Sequence, residues 1–195
     1  MTGAQDLLRR GRLLEGATLA WNVVGIAVLT VAAVRAQSVA LAGFGLDSLI
    51  EIGASMVVLW ELSETRKSSQ ERALRLIAFA FVGLAVYLTV QAVVVLVTGF
   101  EPRHSALGIV WTAVTVVAMF ALAYGKTRVG HALPNAVLIA EAKVTVVDGL
   151  LAASVLVGLV LNAALGWWWA DPAAGLVIVY YAIREARLVL RPAVD

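Results

Sequence analysis

Long uncharged apolar runs constrain this chain before anything else does. Residues 76–100 and 105–125 contain no Asp, Glu, Lys or Arg, and each is as long as the ~20-residue helix that crosses the hydrocarbon core of a bilayer. In oil every backbone N–H and C=O must find its partner within the structure, so such runs are read as transmembrane helices. Composition agrees. The 195 residues are 62% hydrophobic and only 14% charged, with a mean hydropathy of +0.91, which excludes an ordinary soluble domain.

Six segments approach span length, at about 16–35, 38–61, 74–100, 105–125, 136–162 and 167–184. The prediction is an all-α, six-helix transmembrane bundle, with residues 1–195 forming a single domain. Basic residues precede the first segment, as in a signal peptide. That segment is nevertheless a full span with no small-residue cleavage site leading into a soluble domain, so it is read as a helix. Only four residues follow Arg191, and no soluble C-terminal domain is expected.

The connections alternate in charge. With the N-terminus inside, the inner side carries Arg9, Arg10, Arg12, the basic residues of 66–75, Lys126, Arg128, Arg184, Arg187 and Arg191, whereas the outer loops hold only Arg35 and Arg103. The positive-inside rule then predicts both termini in the cytoplasm, with Trp167, Trp168 and Trp169 in the outer aromatic belt. A multi-pass protein of the plasma membrane is expected. The net charge of +2 is scattered in short clusters, which argues against a nucleic-acid partner. The chain has no cysteine, which excludes disulfides, thiolate metal sites and cysteine nucleophiles. Without an HExxH or a paired nucleophile and base, it does not read as an enzyme, and no resident cofactor is expected.

Within the second segment, the stretch "FGLDSLIEIGAS" places Asp47 and Glu51 one helical turn apart, about 6 Å along one face. An acid at the bilayer centre costs about 2.5–3.5 kcal/mol, so both must face something polar. The fifth segment supplies Asp148, with Glu141 two turns earlier on the same face and Thr145 between them. Gly149, Ala152, Ala153 and Ser154 are small enough for this helix to approach another closely. Apposing the second and fifth helices would gather Asp47, Glu51 and Asp148 into one site of carboxylate oxygens, for which a cation is the natural occupant. Glu141, Thr145 and Asn22 are the accessory candidates. The only base counted within the spans is Lys143, expected to snorkel to the cytoplasmic face. Asp171, just before Pro172, is read as the N-terminal cap of its own helix.

These residues carry a resemblance. "SVALAGFGLDSLIEIGAS" resembles the second transmembrane helix of the cation diffusion facilitator family, in which a small-residue segment leads into a pair of ligands four residues apart. "VTVVDGLLAASVLVGLVL" and "GWWWADPAAGLVIVYYAIREA" are similar to that family's fifth and sixth helices, and the likeness covers about residues 12–191. It implies a divalent-cation/proton antiporter that exports zinc, manganese, iron or cobalt from the cytoplasm by alternating access. The implied tetrahedral site has paired residues on the second and fifth helices. Asp47 and Glu51 match the first pair and Asp148 the second member of the other.

The first member of that other pair, often His, falls on Val144, which cannot ligate a metal. An all-oxygen site suits harder ions such as manganese or magnesium, and proton coupling then falls to the carboxylates. The resemblance also implies a homodimer, here through membrane helices alone. Two other readings stay open: a transport-incompetent scaffold or regulatory protein, which the loss at Val144 favours, and a carrier of organic cations.

Overall fold

The computed structural model describes residues 2–61 and 67–190, which form six helices and no strand. They are α1 (Thr2–Ala36), α2 (Val39–Glu61), α3 (Lys67–Thr98), α4 (Ala106–Ala132), α5 (Ala136–Leu165) and α6 (Ala170–Leu190). Arg66 and Arg191, used in the charge count above, lie outside the described residues, as do the side chains of Lys67, Arg72 and Arg75. Four of the helices are long and apolar enough to cross a membrane among the described residues, in the stretches Gln5–Ala36, Phe81–Thr98, Ala106–Ala132 and Glu141–Leu165. The other two, α2 and α6, carry Asp47 and Glu51, and Asp171 and Glu185, respectively.

The helices run beyond the apolar segments because nothing stops them. "DLLRRGRLL" is mostly good helix formers with one glycine, and α1 begins at Thr2 rather than near residue 16. The run after Gly125 holds no proline before Pro134, and α4 continues to Ala132. That extension moves Lys126 out of the expected loop and into a helix. Where helices do stop, local chemistry accounts for it. Ser105 caps α4 by accepting from Gly108 N–H at 3.0 Å, and Asn135 caps α5 by accepting from Leu138 N–H at 3.0 Å. Gly166, at φ 68°, closes α5 in the left-handed conformation, its N–H donating to Asn162 O.

α4 and α5 pack most extensively, α1 lies against α2 and α4, and α3 pairs with α6. The two groups meet through α2, which touches α1, α3, α5 and α6, and through the packing of α5 on α6. Close approach is visible at Gly158 of α5, where an added Cβ would lie 2.9 Å from the Ala170 carbonyl oxygen. Gly149 faces Met119 and Phe120 of α4, so the small residues of α5 serve α4 and α6 more than α2.

Asp171 does not cap its own helix. Its carboxylate accepts from the Ser38 hydroxyl and from Val39 N–H at 2.8 Å, and so caps α2 across the bundle. The expected local cap loses because α2 begins beside it with unsatisfied N–H groups of its own.

Polarity is inverted relative to a soluble protein. Val34, Val97 and Val117 are more than 70% exposed, whereas Glu15, Asn22, Asp47, Glu51, Lys126, Glu141, Thr145 and Asp148 are buried. Apolar side chains outside and ionisable ones within are what a lipid solvent selects.

Candidate metal centre

Asp47 and Glu51 sit one turn apart on the inner face of α2, where the helix is enclosed by its neighbours. Asp148 comes from the α5 face that meets it. All three side chains are buried, and one carboxylate oxygen from each lies within 4.8 Å of the others. Neither oxygen of Asp148 has a hydrogen-bond partner among the described residues. Three buried acids with so few donors are a large electrostatic debt in a low-dielectric interior. A divalent cation, or protons, would cancel it.

Asn22 of α1 joins the group, its amide Nδ2 donating to Glu51 Oε2 at 3.0 Å. The other accessory candidates do not. Glu141 Oε1 and the Thr145 hydroxyl instead meet the ammonium of Lys126, at 3.4 and 2.9 Å. Glu15 of α1 completes that second cluster at 3.2 Å from the same nitrogen. The base within the bundle is therefore Lys126 rather than Lys143, which is exposed.

The triad opens on a cavity lined also by Phe81, Val144, Val147, Leu151, Tyr181, Ala182 and Glu185. It leaves about 20 Å³ for the centre of a water-sized sphere, which is room for one water or one small ion. Val144 occupies the wall where the resemblance places a fourth ligand. Glu185 of α6 was missed by the sequence reading. Its side chain is 23% exposed and lies 3.5 Å from the guanidinium of Arg184. A signal was present in "IREAR", an acid just past an apolar run, but the neighbouring arginines made it read as a helix end.

Other polar contacts lock the helices that carry the site. Trp21 of α1 stacks on Trp111 of α4 at 5.0 Å between ring centroids and donates its indole N–H to the Thr115 hydroxyl at 3.2 Å. Thr18, one turn before Asn22, turns its hydroxyl back to the Leu14 carbonyl. The Trp21 contacts to α4 fix the face of α1 from which Glu15 and Asn22 project.

The family model described as "Cation efflux transmembrane domain" matches residues 17–195. No curated protein matches the chain.

Proposed function

The chain belongs to the cation efflux family, and from that premise we propose that this membrane transporter exports a divalent metal ion from the cytoplasm in exchange for protons. Asp47, Glu51 and Asp148 hold the ion, and Asn22 orients Glu51. The observation that carries the reading is the triad itself: three buried carboxylates from two helices, one oxygen of each within 4.8 Å of the rest. Oxygen donors alone favour hard or borderline ions, manganese, iron, cobalt or magnesium, over an ion that prefers imidazole.

The carboxylates also supply the exchange. An acid that has lost its metal in this interior is best neutralised by a proton, so metal and protons compete for the same oxygens. Rocking of the bundle about α2 and α5 would present these oxygens to either side in turn, as alternating access requires. Both termini are assigned to the cytoplasm by the positive-inside count, and the plasma membrane is the expected location.

A cavity of about 20 Å³ weighs against the organic-cation reading, because an alkylammonium needs several times that space. Valine at position 144 favours the scaffold reading, and transport decides between them. In proteoliposomes with an imposed pH gradient, the unaltered chain should accumulate manganese, iron, cobalt, zinc or magnesium. Asp47→Asn and Asp148→Asn should each abolish that flux. Metal flux indifferent to both substitutions overturns the assignment of the site. Absence of flux for every ion favours the scaffold.

A further inference from the structure

Lys126 is fully buried, and among the described residues every polar group that its ammonium touches is an oxygen. Glu15 Oε2 lies at 3.2 Å, Glu141 Oε1 at 3.4 Å and the Thr145 hydroxyl at 2.9 Å, supplied by α1 and α5 around a lysine from α4. Three N–H donors meet three acceptors, which saturates the ammonium. The acids are not saturated in turn: Glu15 is fully buried, and its Oε1 has no partner among the described residues.

An ion pair of this kind is a costly way to hold a bundle together. Desolvating both partners offsets their attraction, and apolar packing of the same volume does as well or better. The position of the cluster suggests another role. Glu141, Thr145 and Asp148 recur along one face of α5, with Thr145 about 4.5 Å and Glu141 about 10.5 Å from Asp148 along the axis. Two groups of buried oxygens thus share one helix face. Both offer two or more carboxylates, and the one around Lys126 adds the Thr145 hydroxyl. That donor set suits a hard divalent ion as well as it suits an ammonium.

We propose that Lys126 is a tethered cation filling a second carboxylate site, and that it confines divalent binding to the triad. The second half rests on the assignment of the transported ion to Asp47, Glu51 and Asp148; the first half does not. Lys126 is then a specificity-determining residue. Its single charge on a flexible stem stands where a second metal would bind, and offsets one of the two negative charges of Glu15 and Glu141 without trapping an ion on the path.

The test is equilibrium binding of Mn²⁺ to the purified full chain, read as ions bound per chain. The unaltered protein should bind one, and Lys126→Gln two. Glu15→Gln added to Lys126→Gln should return the count to one. Lys126→Arg, which keeps the charge, should stay at one. Asp148→Asn isolates the cluster around Lys126: that variant should bind none, and Asp148→Asn with Lys126→Gln should bind one ion that depends on Glu15. No gain of an ion on Lys126→Gln in either background overturns the proposal.

Should Lys126→Gln misfold because two acids are left exposed to each other, Mn²⁺ in the solubilisation buffer should restore it. Glu15→Gln should remove that requirement. A chain that stays misfolded with Mn²⁺ present also overturns the proposal. Failure of the unaltered chain to bind Mn²⁺ would sink the triad instead, and would leave the Glu15-dependent measurement in the Asp148→Asn background decisive for Lys126.

Discussion

Asn22 Nδ2 donates to Glu51 Oε2 at 3.0 Å, joining α1 to the acid pair of α2. The bond spends one lone pair of Glu51 and fixes the plane of its carboxyl, as outer hydrogen bonds orient carboxylate ligands in metal sites. Asn22→Leu should therefore leave the bundle folded and weaken metal binding about 10- to 100-fold, the usual cost of losing such a partner. Metal titrations of the purified variant check this, and unchanged affinity would remove Asn22 from the site.

Asp148 presents the opposite situation, two buried oxygens and no donor among the described residues. Asp148→Asn replaces a carboxylate with a neutral group of the same shape and relieves repulsion from Asp47 and Glu51. In metal-free buffer the variant should melt at or above the temperature of the unaltered chain, although it no longer transports. Metal at 100 times its dissociation constant should stabilise the unaltered chain by about 2.7 kcal/mol and the variant hardly at all. Calorimetry or dye-monitored unfolding with and without Mn²⁺ reads both effects.

The membrane-spanning architecture was legible because the apolar runs and the bilayer share one length scale. The triad was legible for a related reason. An acid within 20 apolar residues is so costly that its presence implies a partner, and the spacing of Asp47, Glu51 and Asp148 fixes their helix faces. What was not legible depended on contacts between distant segments. Lys126 reads as the first basic residue of a loop until α4 is seen to continue to Ala132, and only the packing of α1 on α4 brings Glu15 to it. Glu141 reads as an accessory to the triad, because it shares the α5 face with Asp148. Its side chain takes the lysine. Asp171 was misread because a cap is usually local, and here the helix it caps starts 132 residues earlier.

Asp171 therefore joins α6 to the start of α2, through the Ser38 hydroxyl and the Val39 N–H. Asp171→Ala leaves those donors unpaired in a buried place and should cost about 1–3 kcal/mol of stability. Asp171→Asn keeps an acceptor and should cost less. Because the same bonds position the helix that bears Asp47 and Glu51, metal affinity should fall in the order aspartate, asparagine, alanine. Denaturation curves and metal titrations of the two variants test the ranking.

Glu185 lines the cavity without belonging to the group of acids within 4.8 Å of one another. Its charge is partly solvated and shared with Arg184, so on the proposed function it should act on the approach of the ion rather than on holding it. Glu185→Gln should raise the KM for metal about 2- to 10-fold at low ionic strength with little change in kcat, and added salt should narrow the difference, as screening predicts. A fall in kcat at saturating metal would place Glu185 among the ligands instead.

Val144 precedes Asp148 by one turn and forms part of the cavity wall, so a histidine there would project toward the triad from the same helix face. The cavity is small, about 20 Å³, and the imidazole would take up part of it while adding a nitrogen donor. Two consequences separate from each other. Binding should shift toward zinc relative to manganese by about tenfold or more, because nitrogen suits zinc better than carboxylate oxygen alone does. An imidazole must also be neutral to ligate, so the gain should fade as pH drops through about 6.5, the region in which histidine ordinarily titrates. Competition between zinc and manganese at pH 7.5 and 5.5, on the unaltered chain and on Val144→His, measures both. A variant with unchanged preference at both pH values would mean that position 144 does not face the ion.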